Sequence, residues 1–176
     1  IRSGFTKYTP SSGIDELRSA IAEKLKIEQG LQYDKSQILV SCGAKHSLYN
    51  VAEALLEAGD EIIIPTPYWV SYADQAFLND ATPVLLATRE ADSYAIDSAA
   101  LEQRITPRTK ALIINSPSNP TGATYNRPML ERIAVEFDPG VRYAEREVNA
   151  TQAEGAWYHA ALLSAATAGK GSAPVR

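Results

Sequence analysis

Short apolar runs alternate with stretches of helical periodicity along the first 134 residues of the chain. Residues 111–114 have no polar face, which is typical of a strand buried on both sides in a parallel sheet. Similar runs lie at residues 38–40, 62–64 and 84–86. Alternation of this kind predicts βαβ units, and hence an α/β fold with three αβα layers around a mostly parallel sheet.

The predicted elements follow one another in a regular order. Strands are expected at residues 37–42, 61–64, 83–88 and 110–115, and helices after Ser12, after Gly43, at about 69–79, after Asp97 and after Asn126. Ser12, Asp97 and Asn126 are expected to cap their helices, and Gly30 is expected to end the first one. The right-handed crossover rule then brings the carboxyl ends of the strands to one edge.

Three segments are predicted along the chain. Residues 1–30 form an N-terminal segment with the first helix, which leads into the body of the sheet at residues 31–136. Residues 137–176 form a divergent tail rich in Ala, Gly, Thr and Ser that is predicted to be poorly ordered. The chain starts with Ile1 and its only methionine is Met129, which favours an incomplete chain: a fragment of a longer protein, a processed product or a trimmed form.

Composition excludes several classes of partner. The 176 residues carry a net charge of −4 and no basic stripe, which argues against a nucleic-acid surface. No apolar run has the length of a membrane span, and no secretory signal is visible. The single cysteine, Cys42, rules out an internal disulfide and a cysteine metal cluster, so a cytoplasmic location is expected.

Three turns after predicted strands carry chemistry. The turn at Gly43 leads into a helix whose free N–H groups favour a phosphate or carboxylate, and Lys45 either adds charge there or points to solvent. Trp69 offers a flat ring for stacking, although it could equally pack as core. Asn119 offers an amide donor, although it could equally bond its own backbone. Together they suit a planar, phosphorylated cofactor such as pyridoxal phosphate.

From about Thr6 to Ala134 the chain resembles the class I/II aminotransferases, which are pyridoxal-phosphate enzymes of fold type I. Three blocks carry the resemblance: "KYTPSSGIDELRSAIAEKL", "ILVSCGAKHSLYNVAEALLEAGDEIIIPTPYWVSY" and "IINSPSNPTG". The segment "PYWVSY" looks most like the bacterial type of aspartate aminotransferase. The resemblance implies that this chain is the truncated large domain of such an enzyme.

Several roles are implied by the resemblance. Ala44 and Lys45 match the turn that holds the cofactor phosphate, and Trp69 matches the aromatic residue that stacks on the ring near the substrate. Asn119 matches the asparagine that bonds the ring oxygen and also contacts substrate. Tyr8 matches a tyrosine that reaches the phosphate in the partner subunit's site, which implies a homodimer.

The resemblance also implies residues that this chain does not have. The family uses an aspartate beside the pyridine nitrogen, a lysine that forms a Schiff base with the cofactor, and an arginine for the substrate carboxylate. No aspartate follows Asp138, and the only lysine after Lys110 is Lys170, whose surroundings do not match the family. No catalytic residue is therefore assigned, and the chain as written is expected to be inactive.

The expected activity of the parent enzyme is transfer of an amino group between an amino acid, preferably aspartate or a similar acidic one, and a 2-oxo acid. Two alternatives remain open. One is another fold type I reaction, such as a β-lyase or an aminocyclopropane-carboxylate synthase, and the other is a non-catalytic binding fragment. His46 and His159 have no assigned role.

Overall fold

A computed structural model of the chain describes residues 1–137, which belong to two compact units, residues 1–47 and residues 48–137. The boundary falls within the second helix. The predicted tail lies outside the described residues from residue 138 onward, together with His159 and Lys170.

The described residues form five α-helices and three strands. The helices are α1 (Asp15–Gln29), α2 (Ala44–Leu55), α3 (Ser71–Leu78), α4 (Ser98–Glu102) and α5 (Arg127–Phe137). The strands are β1 (Glu61–Thr66), β2 (Thr82–Ala87) and β3 (Thr109–Leu112). Short 3₁₀ helices occupy Lys35–Gln37 and Glu90–Asp92.

The three strands form one parallel sheet in the order β2-β1-β3. Strand β1 lies in the centre, with Ile63 opposite Val84 on one side and Leu112 on the other. The backbone N–H of Ile113 continues the pairing by donating to the carbonyl of Ile63 at 3.0 Å. Each crossover contains a helix, so the predicted βαβ connections and parallel sheet are confirmed.

Alternate residues of β1 pack on opposite faces of the sheet, as the period of a strand requires. Ile62 and Ile64 belong to a buried cluster that includes Tyr72 and Ala76 of α3. Ile63 belongs to a second buried cluster with Leu101 of α4 and Ile133 of α5. Helices therefore cover both faces, which confirms the three predicted layers.

The predicted strand at residues 37–42 is wrong. Gln37 ends the 3₁₀ helix, which is closed by a capping box with Asp34, and residues 38–42 form neither helix nor strand. A strand requires a hydrogen-bonded partner, and the described backbone of residues 1–47 contains no strand to pair with. The N–H of Val40 donates instead to the carbonyl of Ser12 at 2.9 Å.

The expected cap at Ser12 is also wrong, whereas the helix boundaries at Gly30, Asp97 and Asn126 are confirmed. Helix α1 has Ile14 as its N-cap without a side-chain hydrogen bond, because Gly13 leaves the helical region with a φ of +100°. Gly30 ends α1 in the left-handed conformation. Asp97 accepts hydrogen bonds from the first turn of α4, and Asn126 accepts one from the N–H of Met129.

Candidate cofactor site

The carboxyl ends of β1 and β3 lie at the same edge of the sheet because the two strands are parallel neighbours. The segment after β1 carries Trp69, and the segment after β3 carries Asn119. In open parallel sheets ligands bind at this edge. The structure thus brings two of the residues predicted from the sequence to one end of the sheet in residues 48–137.

A cleft opens at this edge and holds Asn119 in its wall. It encloses about 350 Å³ of empty space, part of it open to solvent. Its walls come from the end of β1, from the segments that follow the three strands and from the start of α3. The lining residues used below are Tyr68, Tyr72, Tyr94, Asn115, Asn119 and Tyr125.

Asn119 is half-buried and its backbone is held within the loop after β3. Its N–H donates to Oδ1 of Asn115 at 2.7 Å. The same loop is closed by hydrogen bonds from Ser118 N–H to the Ala123 carbonyl at 2.8 Å and from Gly122 N–H to the Ser118 carbonyl at 2.7 Å. This network fixes the backbone that carries the amide donor.

Trp69 is half-buried at the end of β1 and packs against the core beside α3. Its ring meets the ring of Tyr72 edge-on, with 5.6 Å between the centroids and 87° between the planes. Such an arrangement is a favourable geometry for two aromatic rings. It orients the indole, so Trp69 has a defined direction rather than that of a freely rotating surface side chain.

Four tyrosines line the cleft, and the sequence assigned a role to none of them. Burial raises the pKa of the Tyr72 and Tyr125 hydroxyls, so both phenols stay neutral at ordinary pH. The Tyr125 hydroxyl donates a long hydrogen bond of 3.5 Å to the carbonyl of Tyr94. Tyr68 and Tyr72 could have been found because they directly follow the apolar run of β1. Tyr94 gave no such signal.

The turn before α2 belongs to residues 1–47. Ala44 and Lys45 are exposed at the start of the helix, and no acidic residue lies in its first turn. Gly43 has a φ of +91°, and a Cβ placed on it would meet no atom within 4 Å. The first N–H groups of a helix have no intrahelical partner, so this turn offers donors to an anion.

Two further residues of the same unit have defined places. The Nδ1 of His46, a residue in the first turn of α2, accepts a hydrogen bond from the N–H of Cys42 at 3.1 Å. This bond stabilises the turn before the helix. Tyr8 is fully exposed. Its phenol is therefore accessible to solvent.

The described residues contain no group of three or more His, Cys, Asp or Glu side chains arranged to hold a metal ion. No helix within residues 1–137 combines the length and the apolar character needed to cross a membrane.

Comparison with known proteins identifies the family. The profile described as "Aminotransferase class I and II" matches residues 1–137, which include Tyr8 and all the candidate residues of the three turns. The chain belongs to this family. Because class I and II aminotransferases depend on pyridoxal phosphate, membership implies this cofactor.

Individual aminotransferases agree with the family match. The chain is 52% identical over 134 residues to a bifunctional aspartate aminotransferase and glutamate/aspartate-prephenate aminotransferase of Petunia hybrida. It is 48% identical over 134 residues to an aspartate aminotransferase of Bacillus sp. strain YM-2. The match covers 76% of this chain, but 28% of the Petunia protein and 34% of the Bacillus protein. The chain thus spans about a third of the length of these relatives.

A solved aminotransferase structure has the same fold over the same region. The aspartate aminotransferase of Thermus thermophilus with maleate superposes with a TM-score of 0.72 at 42% identity. The match covers 77% of this chain and 35% of the Thermus chain. The three-stranded sheet is therefore a portion of a fold type I large domain.

The donors on this chain fit pyridoxal phosphate in kind. A helix start whose first N–H groups lack intrahelical partners, together with a cationic side chain and no acidic residue in the first turn, suits the phosphate. An oriented indole suits a planar ring, and an amide on a hydrogen-bonded loop suits a ring oxygen.

Proposed function

We propose that this chain is part of a pyridoxal-phosphate-dependent aminotransferase that transfers an amino group between an acidic amino acid, preferably aspartate, and a 2-oxo acid. One observation carries the proposal: the family match runs continuously through all three turns that hold the candidate cofactor residues. The names of the Petunia and Bacillus relatives support the choice of aspartate and favour an aminotransferase over a lyase or a synthase.

Each candidate residue has a separate task in this proposal. The backbone N–H groups of Ala44 and Lys45 bind the phosphate, and the ammonium group of Lys45 adds positive charge. Trp69 stacks on the pyridine ring and borders the substrate, and Asn119 donates its side-chain amide to the ring oxygen. When bound, pyridoxal phosphate supplies an aldehyde and an electron-accepting ring.

The proposal includes a homodimer in which Tyr8 reaches the phosphate at the partner's site. Exposed apolar side chains in residues 1–47 support a second chain as their cover, among them Phe5 at 69% and Leu39 at 59% exposure. The cytoplasmic location remains a prediction from the sequence.

The 176 residues alone are proposed to carry out no transamination, because no lysine in the family's context is available to anchor the cofactor covalently. Incubation with pyridoxal phosphate followed by borohydride and peptide mapping should label surface lysines diffusely and at low yield. Stoichiometric labelling of Lys170, together with turnover of aspartate and 2-oxoglutarate, would refute this part of the proposal.

The binding roles are tested with pyridoxine 5′-phosphate, which lacks the aldehyde and cannot react with any lysine. Calorimetric titration of the 176-residue chain should give saturable binding, and Asn119→Ala should weaken it about tenfold because one hydrogen bond to the ring oxygen is lost. Trp69→Ala should weaken it by a similar factor.

Asn79→Ala is the matched control for the titration. Asn79 follows the last turn of α3, where its side chain bonds the Gln75 carbonyl next to the start of β2. This is the opposite end of the sheet, so affinity should be unchanged. The proposed binding roles would be contradicted by an absence of saturable binding, or by equal affinity of wild type and Asn119→Ala.

A further inference from the structure

Asn115 follows the apolar run after β3 and precedes Asn119 by four residues. It is buried, with 9% of its surface exposed. Its Oδ1 accepts the backbone N–H of Asn119 at 2.7 Å, a short and partly buried hydrogen bond. A side chain packed at the end of the sheet therefore holds the backbone of the residue that carries the amide donor.

The other hydrogen bonds of this loop hold different parts of it. The N–H of Tyr125 donates to Oγ of Ser116 at 3.0 Å, and the N–H of Ser118 donates to the Ala123 carbonyl at 2.8 Å. Both join the beginning of the loop to its far end. The bond to Asn115, by contrast, ties Asn119 directly to the strand end.

We propose that Asn115 is a positioning residue that sets the direction of the Asn119 side chain toward the ring oxygen of the cofactor; this rests on the proposed function. A hydrogen bond weakens steeply when its donor is turned away from the acceptor. Because Cα of Asn119 moves with its own N–H, losing the anchor at Asn115 lets the amide swing through a wider range of directions. Asn115 acts through Asn119.

The chemistry at position 115 can be dissected with three substitutions. Asn115→Leu keeps a side chain of similar size and removes the acceptor oxygen, and Asn115→Ala removes both. Asn115→Asp keeps an oxygen acceptor at the same distance along the side chain. Ser116→Ala is the matched control, since it removes a neighbouring side-chain acceptor of the same loop whose donor is Tyr125 and not Asn119.

The first readout needs no cofactor. Amide hydrogen exchange of Asn119, measured by NMR, should accelerate at least about tenfold in Asn115→Leu and in Asn115→Ala. Asn115→Asp and Ser116→Ala should stay within about threefold of wild type, because the acceptor for Asn119 is present in both. If neither acceptor-free variant accelerates exchange at Asn119, positioning by Asn115 is overturned. Either variant alone suffices should the other fail to fold.

The second readout is a double-mutant cycle on the affinity for pyridoxine 5′-phosphate. Asn115→Leu should weaken binding about fivefold in the wild-type background and less than about twofold when Asn119 is already Ala, because its effect passes through that amide. An equal loss in both backgrounds would show a merely structural role and overturn the proposal. If Asn119→Ala does not weaken binding, the role of Asn119 in the proposed function is contradicted instead.

Discussion

The two units differ in how they treat their apolar side chains. Every buried apolar residue of the described chain lies in residues 48–137, between Leu56 and Ala134. None of residues 1–47, all of them described, is buried, and α1 buries no side chain even though Ile14, Leu17, Ile21 and Leu25 recur at helical spacing. Helical periodicity therefore does not ensure that a face is covered within its own unit.

The difference follows from strand pairing. A central strand with a neighbour on each side and helices on both faces buries its side chains within a short length of chain. Residues 1–47 contain one long helix, a short 3₁₀ helix, the first turn of α2 and loops, which do not enclose an interior. Its ion pair of Lys35 with Asp15 at 2.6 Å is exposed, whereas the Nε of Arg18 donates to the Ile38 carbonyl at 3.0 Å in a partly buried hydrogen bond.

The largest effect should separate two isoleucines. Ile63 is fully buried in β1, and Ile63→Ala should lower the free energy of unfolding by about 3 kcal/mol, since it removes buried methyl groups and leaves a cavity. Ile27 in α1 is 72% exposed, and Ile27→Ala should change it by less than about 0.5 kcal/mol. Urea unfolding curves measure both, and equal costs would remove the contrast between the units.

The next effect tests whether residues 1–47 contain any tight packing. A Cβ on Gly13 would lie 2.8 Å from Cβ of Val40, and its φ is +100°. Gly13→Ala should therefore force Val40 away from this turn and destabilise the local structure by about 2 kcal/mol. The loss is measured as faster exchange of the Val40 amide, which bonds the Ser12 carbonyl. Gly4 has a φ of +73° but open space around it, so Gly4→Ala should leave exchange at Val40 unchanged. Slow exchange at Val40 in Gly13→Ala would show that the turn relaxes.

The smallest effect concerns two carboxylates whose pKa values are both lowered. Hydrogen bonds from Thr106 and then Arg108 lower the pKa of Glu61, which is buried at the start of β1. Because its folded pKa lies below the unfolded value of about 4.3, its contribution is present above that pH and is lost as the pH falls through the folded pKa. Glu61→Gln should remove the part of the stability loss at low pH that comes from protonation of Glu61. At pH 7 it should lower the free energy of unfolding by about 1 kcal/mol, a small value because Arg108 is 69% exposed to solvent.

Asp15 supplies the contrast in the other unit. The hydrogen bond and charge of Lys35 lower its pKa in the same direction, but both side chains are about half exposed, at 57% and 49%. The free energy of unfolding of Asp15→Asn should therefore equal that of wild type at every pH between 3 and 7. A pH dependence lost in Asp15→Asn and kept in Glu61→Gln would reverse this part of the comparison.

Sequence patterns predicted the three strands of the sheet because each is an apolar run bounded by turn residues. They failed at residues 37–42, where an equally apolar run has no partner in its own unit. For the site, the strand-end rule placed Trp69 and Asn119 at one edge, as the structure has them. Asn115, Tyr94 and Tyr125 were assigned no role, because two separate segments, after β2 and after β3, bring them to the cleft, and no local pattern encodes that meeting.

Local patterns along the chain were enough to predict the layered α/β fold and the turns that carry polar donors, because periodicity and turn residues act over a few positions. The family was indicated separately, by the resemblance of three sequence blocks. Which apolar runs pair, which faces become buried and how the Asn119 amide is held depend on contacts between distant segments. Those contacts exist only once the strands have found their neighbours, and for that reason the first apolar run remained unpaired while β1 became the centre of a core.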